Sequence, residues 1–196
     1  MSDDGGRLGA RQDQSPVAAA RVVDKPRALG QAASVSHAKC AQCGRPTDEH
    51  DRHLRFVLPE PVLSIPEHDR AANTWGNDVL MSVRDVGSFV RVLVPVHLSG
   101  GYTVTFGAWL GVHPDDLRRT YEVWNSAEYA QLELDGVLAN MLPPWEDQTY
   151  GRPLRVRVRD SDEVPYATSS TDEVLQGILT EEWPHEFVLA AVAPFE

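Results

Sequence analysis

The chain has 196 residues, 42% of them hydrophobic and five of them tryptophan, enough for a sizeable core and unlike a disordered composition. Its charge is uneven: residues 1–39 hold six basic and four acidic side chains, leaving 12 basic against 25 acidic groups in residues 40–196. That excess of acid repels a phosphate backbone and argues against nucleic acid as a partner. No apolar run approaches the roughly 18 residues of a membrane helix.

Met1 to Gly6 is acidic and glycine-rich with no apolar stretch behind it, unlike a secretory signal, so the expected location is cytoplasmic. Residues 1–36 lack apolar periodicity. Val22, Val23 and Leu29 bury too little area to offset chain entropy, which predicts a disordered leader, with at most a frayed turn at Ala18–Val23. Residues 37–196 are read as one domain.

That domain opens on Cys40-Ala41-Gln42-Cys43-Gly44, which holds both cysteines of the chain. Two thiolates at this spacing meet one zinc ion about 2.3 Å from each sulfur, and the glycine eases the turn beneath them. A closed structural site needs four ligands. Cys40, Cys43, His50 and His53 supply them as C-x2-C-x6-H-x2-H, with His37 as an upstream alternative. The spacing is tighter than in familiar fingers. A redox pair, which prefers a strand-to-helix setting, and two unligated thiols are the competing readings.

Leu54–Leu58 reads as a short strand cut off by Pro59 and Pro61. Val62–Ile65 reads as a second extended piece, with a helical turn starting at Ile65-Pro66-Glu67. Val79–Val83 alternates as a strand, and Asp85–Gly87 makes a turn. The apolar run Phe89–Val96 suits a strand covered on both faces. Ser99-Gly100-Gly101 is a hairpin turn. It leads into Tyr102–Val112, which puts Val104, Phe106, Ala108 and Leu110 on one face and Thr103, Thr105 and Trp109 on the other.

From Pro114 the period changes to that of a helix. Proline and two carboxylates occupy its first turn, and Leu117, Tyr121 and Trp124 lie on one face. Leu132–Ala139 is extended around Gly136. Arg152–Asp160 alternates, with Leu154, Val156 and Val158 inward and Arg155, Arg157 and Arg159 outward, a stripe expected to pair with neighbouring carboxylates. Ser170 and Glu173 match a capping box opening a helix that Pro184 ends. Phe187–Val192 reads as a last strand. The order predicts an α+β domain with a mainly antiparallel sheet, two principal helices and an N-terminal zinc-knuckle-like segment.

No nucleophile elbow, phosphate loop or H-E-x-x-H motif occurs. Glu181 to Glu186 reads as a solvated acidic helix end. Trp109 and Trp124 suit the core, and Trp145, after two prolines, is the aromatic expected to be partly exposed and to contact a ligand. The leading reading is a non-catalytic binding or interaction module, stabilised by zinc, with a protein or small molecule as partner and no membrane. Its rivals are an enzyme with a pocket around His97, Trp109, Trp145 and His185 and, more weakly, a zinc-dependent nucleic-acid binder.

Several of these segments together resemble a bacterial family, domain of unknown function 2199. They are Cys40-x-x-Cys43-Gly44, Phe89-Val90-Arg91 with Val94-Pro95-Val96-His97, Phe106-Gly107-Ala108-Trp109-Leu110, Gly136-x-Leu138-Ala139-Asn140 and Thr180-Glu181-Glu182-Trp183-Pro184-His185. The resemblance spans roughly residues 38–190. It implies no activity, substrate or catalytic residue. Where members have a histidine soon after the cysteine pair, this chain has Thr47, and His50 comes later.

Overall fold

The computed structural model describes residues 52–192. The readings placed on His37, Cys40, Cys43 and His50, on the leader and on residues 193–196 lie outside the described residues.

The hairpin expected at the centre is there. Strands β1 (Arg52–Arg55), β2 (Thr74–Gly76) and β3 (Leu80–Val83) precede it; β4 (Gly87–Leu98) and β5 (Tyr102–Val112) form it, antiparallel from Ser88 opposite Val112 to Leu98 opposite Tyr102. Gly100 and Gly101 take φ of +88° and +82° in its turn, a conformation that costs glycine little. β6 (Glu133–Leu138), β7 (Pro153–Arg157) and β8 (Tyr166–Ser169) follow, each antiparallel to the strand before it. β8 then returns to β4 at Leu93–Tyr166 and closes a five-stranded barrel-like ring. An odd ring of alternating strands cannot close antiparallel, so that last pair is parallel.

The other edge of β4 is divided among three strands: β3 near Val90, β8 at Leu93, and the two-residue β9 (Glu182–Trp183) at His97–Leu98. β1 lies parallel to β5, Arg52 opposite Val104, and β2 pairs with β3. The ring interior takes one face of the central strands, including Val92, Val94, Phe106, Ala108 and Leu110, all fully buried. Burying each such side chain contributes roughly 1.5–3 kcal/mol. A second core forms on the outer face from Val62, Met81, Val83, Phe89, Trp109 and Ala139, so β4 is covered on both sides as its unbroken apolar run requires.

Among the described residues five α-helices flank the sheet: α1 (Glu60–Leu63), α2 (Glu67–Asn73), α3 (Pro114–Val123), α4 (Glu173–Thr180) and α5 (His185–Val192). α3 and α4 are the two principal helices expected, and α2 begins at the helical turn expected at Ile65-Pro66-Glu67. Val62 and Leu63 are helical rather than extended, because Pro59 and Pro61 preset the first turn of α1. Phe187–Val192 is helix, not strand: α5 buries Val188, Leu189 and Val192 at helical spacing, a pattern that a short apolar run hides. The cap of α4 is Asp172, which accepts from the Leu175 N–H at 3.0 Å; Ser170 instead accepts from Asp172 N–H at 3.0 Å. That helix stops at Thr180, before Pro184, and Glu182–Trp183 turns into β9 instead of a solvated helix end. Among the described residues no helix is long and apolar enough to cross a membrane.

Candidate functional site

β1 is the first described element, and its sequence Arg52-His53-Leu54-Arg55 alternates between half-buried and exposed. Beyond it the chain forms a strap across the outer face of β5. Phe56 continues the pairing, its N–H donating to the Gly107 carbonyl at 3.0 Å, and Glu60 N–H donates to the Ala139 carbonyl at 2.8 Å. Two buried polar side chains hold this strap. Asn140 Nδ2 donates to the Leu58 carbonyl at 2.9 Å, and its Oδ1 accepts from Trp109 N–H at 2.8 Å.

The second is Arg91, 5% exposed, whose guanidinium lies 4.1 Å over the Trp109 ring. Its Nη1 donates to the carbonyls of Phe56 and Gly107, both at 2.9 Å, and its Nε to the Asp78 carbonyl at 2.5 Å. Nη2 has no acceptor among the described residues. Burial, and then the neighbouring Arg55, push the Arg91 guanidinium down to about 10, while the Asp78 carboxylate opposes the fall. It stays cationic at neutral pH. Arg55 itself pairs with the Asp78 carboxylate at the surface.

Between β1, the strap and the Pro143 turn lies a cleft of about 230 Å³, lined by Leu54, Arg55, Phe56, Val57, Phe106 and Pro143. Phe56 and Phe106 form its aromatic wall, ring centroids 6.3 Å apart. Val57 is 79% exposed. A larger groove of about 310 Å³ runs over β6, β7 and β8, but its Arg155 is held by Asp135 through bonds of 2.8 and 2.9 Å. That pairing keeps the Asp135 carboxyl below its ordinary range. Arg159 stacks on Tyr166, 4.9 Å from the ring centre. Both contacts agree with the stripe on β7 being a paired solvent face rather than an empty anion site.

Of the residues proposed to hold zinc, His53 alone is described, and it faces solvent on β1 beside Thr105. Among the described residues no group of three or more His, Cys, Asp and Glu side chains could hold a metal. The pocket expected around His97, Trp109, Trp145 and His185 is not assembled. His97 is exposed on β4. Trp109 belongs to the outer core, whereas Trp145 packs on the ring-interior side, and neither cleft is lined by any of the four. Trp145 is not partly exposed but 4% exposed, because Trp183 meets it edge-on at 4.9 Å and Phe187 closes over it at 6.2 Å.

His185 does acquire a partner that the sequence did not suggest. Ser99 Oγ lies 2.9 Å from His185 Nδ1 and also accepts the His185 backbone N–H at 3.2 Å, while Ser99 N–H donates to the Trp183 carbonyl at 2.8 Å. The hydroxyl is thus engaged from two sides, and the imidazole is 5% exposed. This geometry ties the β4–β5 turn to the start of α5. Ser-Gly-Gly signals only a turn in the sequence, since the contact spans 86 positions.

A family described as an uncharacterised protein conserved in bacteria (DUF2199) matches residues 39–176, more than half of the chain. The Thr180–His185 segment lies beyond that match. No curated protein and no solved structure matches the chain.

Proposed function

We propose that this chain, which belongs to the DUF2199 family, is a non-catalytic binding module whose working surface is the cleft beside β1. We further propose that a structural zinc held by Cys40, Cys43, His50 and His53 fixes the segment leading into that strand. The observation that carries the binding reading is the cleft itself: apolar walls of Leu54, Phe56, Phe106 and Pro143 open to solvent beneath a valine that is 79% exposed. A solvent-open apolar cavity with a charged group at its edge is the default place for a binding site.

For the metal, the supporting facts are chemical. Two thiolates and two imidazoles make a closed tetrahedral donor set, and the solvent-facing His53 stands three positions after His50 at the mouth of β1. Mass spectrometry of protein purified without chelator or tag is expected to find one equivalent of zinc. A Cys40→Ser, Cys43→Ser double variant is expected to carry none. Freely titratable thiols in a metal-free parent would end the zinc reading and leave redox or idle cysteines.

A further inference from the structure

We propose that the aromatic face formed by Trp183 and Phe187 receives an arginine-bearing segment of a partner protein, its guanidinium laid on the rings and paired with Glu181 and Glu186. This surface is separate from the cleft beside β1 and does not depend on it.

The rings form a fixed platform. Trp183 and Phe187 stack at 24° with centroids 6.1 Å apart, and Trp145 meets them at 4.9 and 6.2 Å from the buried side. β9 pairs Trp183 with Leu98, and the Trp183 carbonyl accepts the Ser99 N–H at 2.8 Å. Its indole Nε1 donates to the Gly177 carbonyl at 3.4 Å. Held in this way, Trp183 is still only half-buried and Phe187 is 47% exposed. Adjoining rings make a contiguous patch, unlike the singly exposed apolar residues that need no explanation. Neither cleft includes them, so they offer a platform for a planar group rather than a hollow.

Charge selects the occupant. The segments that meet here, residues 96–103, 141–151 and 173–192, hold six carboxylates and no lysine or arginine. The Glu181 carboxyl lies 3.6 Å from where a β-carbon on Gly177 would stand, beside the carbonyl that holds Trp183. Glu186 shares the exposed face of α5 with Phe187 and Ala190. Neither Glu181 nor Glu186 forms an ion pair among the described residues. Glu182 alternates to the other side of β9, opposite His97, and is not counted in the site. A cation is drawn to the negative face of an aromatic ring, and unpaired carboxylates at its edge add to the attraction. Arginine suits the place better than lysine, because its planar fork stacks and pairs at once. A second copy would bring the same carboxylates against themselves. Nucleic acid and anionic lipid would be repelled.

The probe is a short blocked peptide with two arginines spaced by serines, titrated into the full chain while backbone amide and indole N–H resonances are followed. Its comparators carry lysine, or citrulline, which keeps the shape of arginine without its charge. The arginine peptide is expected to shift the Trp183 indole and the amides of Glu181–Phe187. It should bind about tenfold more tightly than the citrulline peptide, with lysine between them. Phe187→Ala should weaken binding by about tenfold. Because Phe187 also packs on Trp145, the exposed Glu186→Gln is the variant that spares the fold, and it should weaken binding by about threefold with an unchanged thermal midpoint. Equal binding of the citrulline peptide, shifts confined to other surfaces, no binding of the arginine peptide, or undiminished binding by Glu186→Gln would each overturn the proposal. So would binding that emerges only when Arg21, Lys25 and Arg27 are changed to glutamine, because the chain's own basic segment would then be the occupant.

Discussion

Replacing Arg91 by methionine should lower the stability of the domain by about 3 kcal/mol, although it removes a buried charge. The guanidinium joins three carbonyls that no apolar side chain can satisfy, from Phe56, Gly107 and Asp78. The Gly107 carbonyl keeps the Phe56 N–H, and that of Asp78 keeps Arg55, while the strap loses the bond from Arg91 Nη1 to the Phe56 carbonyl. A buried acceptor left without a donor costs roughly 1–3 kcal/mol, and the stack on Trp109 is worth up to ~2 kcal/mol when desolvated. Relief from burying the cation offsets part of this. Denaturant titration should therefore show the loss, and the thermal midpoint should fall by about 10 °C. Arg91→Lys, which keeps charge but not the fork, should lie between the two. A methionine variant within about 1 kcal/mol of the parent would mean that desolvation cancels the bonds, and that Arg91 does not hold the strap.

The second large effect is expected at Gly136. A β-carbon there would stand 2.3 Å from the Gly111 carbonyl oxygen and 2.8 Å from Leu110 Cγ. Backbone forms part of the obstruction, so no rotamer change relieves it. Gly136→Ala should cost at least ~3 kcal/mol by parting β6 from β5. Gly101→Ala serves as the contrast. It has φ of +82° but open space around it, so its cost is conformational alone, about 1 kcal/mol. If both substitutions cost the same by urea unfolding, β6 and β5 do not approach as closely as described.

Local sequence carried much of this fold. The two-residue period of Tyr102–Val112 assigned its faces correctly, and the change at Pro114 placed the start of α3. What stayed hidden depends on residues far apart. Arg91 sits within an apolar run that reads as ordinary strand, and its role appears only when Phe56 arrives from 35 positions away. The Ser99–His185 contact is hidden for the same reason. Phe187–Val192 reads as extended in the sequence because a short apolar run has no period of its own, and its helical character comes from the core that α5 covers. The cleft had no signal at all. Leu54 and Phe106 become neighbours through the parallel pairing of β1 with β5, a choice no local pattern dictates. The proposed zinc site is the converse case, since it rests on the spacing of Cys40, Cys43, His50 and His53 in the sequence alone.

We propose that a bound zinc fixes the entry to β1, which forms one wall of the cleft. Amide hydrogen exchange on the full chain, before and after removal of metal with a chelator, tests it most directly. Exchange in Arg52–Val57 should quicken by at least about tenfold when the metal is removed, while Val90–Val96 in the ring stays protected. Unchanged exchange in β1 after complete removal of metal, or a uniform rise throughout the ring, would contradict it.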